Sequence, residues 1–456
     1  MKLVAVFPIA SLIVGIVLSL ILGFPLSVGI VFAILVTLVS VKRLGFPLRQ
    51  QISFGWDGVK QTKPVLTILF LIGLLIPLLM MGGTIPVMIY YGLSVVNADD
   101  LLIQSFVLAT AVSCLLGTSV GTLSTVGLSL IGIAHAAEVP LGMMAGALIS
   151  GAMVGERLSP ISSSRLLVIS SVGMEEKGDG RINKTALLAL GVTALLFMLL
   201  DVGRINADAS QMVREYQELL ERHFSVSLIP LLPLIVLIGS YAFRVKAVSA
   251  LMYGIAAATG IVLFTNPPEW GEFFRTILFG FELHSQTRLD QMVHGGGMKA
   301  ILQVLLLISL AGFMNGILNK ANLLVPIVDR LMGSTQSLTA LTGKTVVLSL
   351  LVIIISCNQT IPILVLSSTL LQRFSKIAKG RQLLGRTMLD AALVMPVLIP
   401  WNGLAMVMSV TLGVPFREVL PYLFFPLLLP VITIVSARQY STAGKLIHEH
   451  KHKQVI

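Results

Sequence analysis

Glu156 and Arg157 stand side by side in an apolar stretch, just ahead of the small-polar run Ser159-Pro160-Ile161-Ser162-Ser163-Ser164, with Arg165 directly after it. Charge inside a bilayer-spanning segment costs about 2.5–3.5 kcal/mol per residue even on the lenient insertion scale, so such groups face a cavity and pair. An ion pair of Glu156 with Arg157 or Arg165 is the plain structural expectation. The chemical alternative is a binding site. Desolvation raises a carboxyl pKa toward the range where protons exchange near neutrality, which makes Glu156 the candidate proton carrier. Asp390 lies ten residues before Pro400, about 15 Å of helix, and is expected near an interface, paired with Arg386. The formal charges of Glu156, Arg157, Arg165 and Asp390 cancel.

Three further clusters interrupt apolar runs: Gly117-Thr118-Ser119-Val120-Gly121-Thr122, Cys357-Asn358-Gln359-Thr360-Ile361-Pro362 and Ile399-Pro400-Trp401-Asn402-Gly403. Gly117 precedes Pro160 by 43 positions and Asn358 precedes Pro400 by 42, so both halves carry the same pair of interruptions. Met81-Gly82-Gly83 and Met314-Asn315-Gly316 form a weaker third correspondence. Unwound backbone in lipid costs several kcal/mol per unsatisfied group and survives only where it lines a cavity or coordinates something. Paired interrupted spans in corresponding halves are the best sequence pointer to a secondary transporter with a midplane site. The candidate ligands are then Thr118, Ser119, Thr122, Glu156, Ser159, Ser162, Ser163, Arg165, Asn358, Thr360, Asp390 and Asn402. For Asn402 a helix cap serves equally well.

Gly117 to Gly121 also matches the G-x-S-x-G nucleophile elbow, but its setting is a helical run and not a strand-turn-helix, so Ser119 with His135 is a weak hydrolase reading. No P-loop motif is present, and no catalytic or metal centre is expected. Gly142, Gly146, Gly151 and Gly155 recur at four- and five-residue intervals, a helix packing surface.

The elements that position these residues follow from composition. The 456 residues are 55% hydrophobic and 12% charged, with a mean hydropathy of +0.94; an average soluble domain carries about 25% charge. A soluble globule, a disordered chain and a disulfide-stapled fold are excluded. Charge-free runs from Lys2 to Lys42, Lys63 to Asp99, Asp100 to Glu138 and Lys344 to Arg373, with shorter ones between, predict roughly 10 to 13 transmembrane helices. Gly23-Phe24-Pro25 splits the first run into two spans, which is too long for a signal peptide. The fold class expected is all-α and polytopic, in two structural repeats, inverted as is commoner for broken-helix folds. The repeats are residues 1–206 and 225–456, joined by a polar linker at 207–224. Residues 267–294 disperse charge among aromatics and read as an interfacial segment.

A net charge of +11 does not imply nucleic acid, because Lys and Arg cluster in short loops. That positive-inside pattern places both termini in the cytoplasm and the chain in the cell membrane. Two cysteines, Cys114 and Cys357, lie in apolar runs and act as packing residues. The oligomeric state is left open, a homodimer included.

These motifs together resemble the NhaC family of bacterial sodium/proton antiporters, whose relatives include a malate/lactate exchanger. The residues that carry the resemblance are Gly117-Thr-Ser-Val-Gly-Thr-Leu-Ser-Thr-Val-Gly127, Ala145-Gly-Ala-Leu-Ile-Ser-Gly-Ala152, Gly155-Glu-Arg-Leu-Ser-Pro-Ile-Ser162, Leu384-Gly-Arg-Thr-Met-Leu-Asp390, Leu398-Ile-Pro-Trp-Asn402 and Thr411-Leu-Gly-Val414. The resemblance implies Na+ or H+ as coupling ions, no other cofactor, and a small ion as cargo. It also marks departures: Glu156-Arg157 stand for an Asp-Lys pair, Ser163 for a second aspartate, Arg165 for a threonine and Leu166 for an asparagine. Losing an acid and gaining Arg165 moves the site about two charge units toward positive. Arg165 is therefore expected to replace a sodium site or to clamp a substrate carboxylate with its bidentate fork. The latter would make the cargo a small organic acid or amino acid.

Overall fold

A computed structural model describes residues 6–437 apart from 96–99, 175–180, 203–208, 266, 284–293, 322, 324–330, 333–336, 357, 376 and 378. Cys357, the start of the polar linker and the His/Lys-rich tail thus lie outside the described residues. The described chain is all-α and polytopic, with one two-residue antiparallel ladder, Phe281–Glu282 on His294–Gly295.

The first apolar run folds as a hairpin, Val6–Leu22 (α1) and Leu26–Lys42 (α2). Gly23 takes φ 71° at the turn, where an L side chain is disfavoured. Leu48–Met81 (α3) is 34 residues long and ends at Gly82-Gly83, after which Thr84–Val95 (α4) starts. Next come Leu101–Leu116 (α5) and a short turn Ser119–Thr122 (α6). A π-helical turn, Leu123–Gly127, leads into Leu128–Ala136 (α7). Leu141–Leu158 (α8), Ser163–Val172 (α9) and Arg181–Val202 (α10) complete the first half.

The linker contains the amphipathic helix Ala209–His223 (α11). It seats Tyr216 and Leu220 inward and holds α4 through Tyr90, whose hydroxyl donates to Glu221 at 2.5 Å. Leu232–Ala242 (α12), Ala247–Thr265 (α13) and Trp270–Phe279 (α14) follow. Helix α14 exposes Trp270, Phe274, Leu278 and Phe279, the aromatic face an interfacial segment presents. Met298–Lys320 (α15) then leads to Leu338–Ser356 (α16), Thr360–Phe374 (α17) and Gly380–Asp390 (α18). Gly403–Leu412 (α19), the short Phe416–Val419 (α20) and Phe424–Ser436 (α21) finish the described chain.

Six described helices are long and apolar enough to cross a bilayer, eight if two bent pairs each count as one span, and five shorter apolar helices accompany them. All four interruptions that the sequence places in corresponding halves are helix breaks: α5 to α6, α8 to α9, α16 to α17, and α18 to α19. The last pair bends by 55°. The weaker third correspondence fails, because Met81-Gly83 ends a helix while Met314-Asn315-Gly316 lies inside unbroken α15. Gly316 is there for another reason. Gly58 of α3 meets Gly312 and Gly316 of α15 backbone to backbone, where a Cβ would collide, and small residues allow such close approach of helices.

Helix α8 is the centre of the fold, with no exposed residue from Met144 to Arg157, as expected of a helix apolar all round. Its glycines are the packing surface that their spacing predicts. Gly151 and Gly155 abut α5, while Gly142 and Gly146 abut the backbone at Glu418 and Tyr422.

Candidate functional site

The two first-half breaks touch each other. Gly117 takes φ 68° to turn the chain out of α5, and a side chain there would strike Ile161. Ser159 donates through Oγ to the Cys114 carbonyl at 2.7 Å, satisfying one of the acceptors that a helix end leaves open. Thr118 and Ser162 cap the half-helices that resume, accepting from the amides of Gly121 at 3.3 Å and Arg165 at 3.3 Å. In the second half Asn358 accepts from the Thr360 amide at 2.6 Å and Asn402 from the Leu404 amide at 3.0 Å. Thr122 donates to the Thr118 carbonyl at 2.8 Å. These five candidates thus spend side chains on local backbone, while Ser163 and Thr360 are exposed.

Glu156 is where the breaks converge. Its carboxyl, 5% exposed, accepts from Ser119 Oγ on Oε2. On Oε1 it accepts from Ser164 Oγ at 2.8 Å and Gln359 Nε2 at 3.2 Å. One partner comes from each first-half break and one from the second-half break before α17. All three are neutral. Ser164 and Gln359 were not among the residues expected at the site, although each sits in a cluster that the sequence marks as an interruption.

Neither expected ion pair of Glu156 forms among the described residues. Arg157, its neighbour in sequence, points about 100° away around α8 and meets Asp390, Nε to Oδ1 at 2.7 Å, with both side chains 0% exposed. Asp390 Oδ2 accepts from Thr185 Oγ1 at 3.0 Å and Thr433 Oγ1 at 2.7 Å. Arg386 approaches the same oxygen at 3.6 Å and bonds Thr185 and Ser436 as well. Asp390 is therefore fully buried and paired, with Arg386 as the sequence suggests and with Arg157 as well. The 15 Å estimate assumed a straight helix to Pro400, whereas the helix ends at Asp390 and the chain turns through 391–394.

Arg165 is also buried, 3% exposed, and its Nη1 donates to the carbonyls of Arg157 at 2.8 Å and Leu158 at 3.5 Å. It holds the C-terminal end of α8, where the helix dipole is negative and cations are favoured. The buried charged side chains among the described residues are Glu156, Asp201 and Asp390 against Arg157, Arg165 and Arg386, so the interior is formally neutral. Asp201 is a further residue missed from sequence, accepting from the amides of Leu102 at 3.1 Å and Ile103 at 2.9 Å at the start of α5.

A narrow cavity of about 20 Å³, room for about one water, lies apart from Glu156, between α3, α4 and the π-helical turn. Its wall hydroxyls, among them Ser124, Thr125 and Ser129, donate to carbonyls one helical turn back. No charged side chain among the described residues lines the cavity. The convergence at Glu156 sets one buried carboxyl among neutral partners, an arrangement that can hold a proton or a small cation.

Comparison with known proteins bears on which. Residues 173–438, more than half of the chain, match the model of the Na+/H+ antiporter family. The chain is 28% identical over 386 residues to the Na+/H+ antiporter NhaC of Alkalihalophilus pseudofirmus, covering 83% of this chain and 82% of that protein. It is 25% identical over 459 residues to a malate-2H+/Na+-lactate antiporter of Bacillus subtilis, covering 97% and 96%. To an arginine/ornithine antiporter of Halobacterium salinarum it is 26% identical over 453 residues, covering 94% and 90%. With its polytopic helices, its four broken spans and this similarity along most of its length, the chain belongs to the Na+/H+ antiporter family, as a divergent NhaC-type secondary transporter.

Proposed function

We propose that this protein exchanges Na+ for H+ across the cell membrane and that both ions compete for Glu156. One observation carries the reading: Glu156 is a buried carboxyl at the meeting point of the helix breaks whose partners are all neutral donors. An ionised carboxylate without a counter-charge is costly to bury. It therefore binds a proton or a small cation, and one excludes the other. That competition is antiport in its simplest form. Arg165, engaged on the end of α8, biases the site electrostatically without filling it.

In this reading residues 1–206 and 225–456 are the two repeats, linked through 207–224, with the site between them. The basic loops and both termini face the cytoplasm. No bond is made or broken in the transported species, so the protein is not an enzyme.

The test is flux in proteoliposomes containing the full chain and a trapped pH dye. A Na+ pulse drives proton movement in the wild type, and the Na+ concentration for half-maximal rate rises as pH falls, because protons occupy the same group. Glu156→Gln abolishes the response. Unchanged flux in that variant would refute the assignment. A second reading, exchange of a small carboxylate or amino acid, draws support from the organic-acid and amino-acid antiporters, which align over more of the chain than NhaC does. Uptake of labelled malate, lactate, arginine or ornithine without any Na+-driven proton flux would favour it.

A further inference from the structure

Gln359, which directly precedes α17, has an amide that does more than contact Glu156. Its Nε2 donates both to Glu156 Oε1 at 3.2 Å and to the Leu393 carbonyl at 2.8 Å. Its Oε1 lies 3.1 Å from Ser164 Oγ, whose single hydrogen is shared between this oxygen and the nearer Glu156 Oε1. The orientation of the amide is fixed chemically, since the reverse would set an oxygen against a carboxylate and a carbonyl. Leu393 belongs to the turn 391–394 that follows Asp390. Gln359 thus ties the second-half turn to the first-half carboxyl.

Two oxygens take the Nε2 hydrogens, the Glu156 carboxylate and the Leu393 carbonyl; the hydroxyl of Ser164 adjoins the same carboxylate oxygen and the hydroxyl of Ser119 the far one. Carboxylate, carbonyl and hydroxyl oxygens are the ligands that hard cations take. In their midst stands an NH2 group, whose hydrogens carry partial positive charge. Glu156 is buried, whereas Gln359 is half-buried and adjoins exposed Thr360.

We infer that the Gln359 amide is a tethered stand-in for the transported cation. It occupies the cation's place in the empty site, supplies donors to Glu156 and Leu393, and swings out when a cation enters. The oxygens it leaves are those the cation takes. This inference rests on Glu156 being the exchanging group. Its consequence is a competition in cis: the amide lowers cation affinity and keeps the empty site from holding a bare carboxylate.

The sign of one effect decides the matter. Gln359→Met keeps the length of the side chain and removes both donor and acceptor. Half-saturating Na+ for proton flux in proteoliposomes is expected to fall about tenfold, the weight of roughly one or two hydrogen bonds to a charged group. Thermal stabilisation of the detergent-solubilised full chain by NaCl, with choline chloride as control, is expected to begin at correspondingly lower concentration. An unchanged or raised requirement for Na+ makes Gln359 a bystander or a direct ligand and overturns the inference. If Gln359→Met does not survive purification, Gln359→Ala is read by the same sign. A wild type that shows neither Na+-driven flux nor stabilisation by Na+, or a Glu156→Gln variant that keeps both, overturns the Glu156 assignment itself and takes this inference with it. A wild type that shows both while Gln359→Met shows no gain overturns the stand-in alone.

Discussion

Glu156 and Asp390 are both buried acids near helix breaks, yet their surroundings are opposite. Asp390 meets Arg157 at 2.7 Å and Arg386 at 3.6 Å, with two threonine hydroxyls on its remaining lone pairs. Glu156 meets two serines and a glutamine among the described residues. The first arrangement is charge-balanced: two arginines face the carboxylate, and the Arg157–Asp390 pair rivets α8 to α18. The second is open to exchange, because neutral donors serve the carboxylate without cancelling its charge. Two acids alike in burial thus differ in the charge of their partners, which in the proposed reading makes one structural and the other exchanging.

Substitutions at the two acids should separate these roles. The largest effect is expected on flux at the open acid: Glu156→Gln lowers Na+-driven proton flux in proteoliposomes at least about a hundredfold, a contribution of roughly 3 kcal/mol, while the thermal midpoint in detergent hardly moves. Asp390→Asn should do the reverse, removing the carboxylate that buried Arg157 and Arg386 face. It is expected to cost about 3–5 kcal/mol of stability, read as a lowered thermal midpoint and reduced yield. The double replacement Arg157→Met with Asp390→Leu recovers most of that loss, since an apolar pair of similar volume is often neutral; failure to recover would mean that the ion pair does more than hold two helices together.

Smaller effects refine the comparison. Gly155→Ala sets a methyl against Ser113 and is expected to cost about 1–3 kcal/mol by overpacking, again visible in thermal unfolding. Ser164→Ala removes one donor to Glu156 and is expected to change half-saturating Na+ by roughly threefold to tenfold, with little change in stability. A large stability loss in Ser164→Ala would blur the distinction, because it would show that the open acid too is part of the framework.

Much of this was legible in the chain. The scarcity of charge assigns the class, and small-polar interruptions in apolar runs locate all four helix breaks, because only such residues can satisfy unwound backbone in lipid. The glycine spacing on α8 identifies a packing face. What was not legible is pairing. Arg157 adjoins Glu156 in sequence, but successive helix positions point about 100° apart, and the partner it finds is 233 positions away. Arg165 is expected from sequence to replace a sodium site or clamp a substrate carboxylate; the two carbonyls it reaches, being backbone, have no signature in sequence. Gln359 and Ser164 stood inside marked clusters, yet nothing local tells which hydroxyl or amide turns inward. The Met314-Gly316 correspondence misled because a glycine that serves helix packing and one that ends a helix look alike.

By itself, the sequence determined that this is a polytopic helical membrane protein with two pairs of broken spans and a few acids and arginines beside them. Both follow from solvent physics, the cost of placing charge and unpaired backbone in hydrocarbon. Only the tertiary structure decided which acid has a counter-charge and which has none, because that depends on side chains brought within 3 Å from opposite ends of the chain.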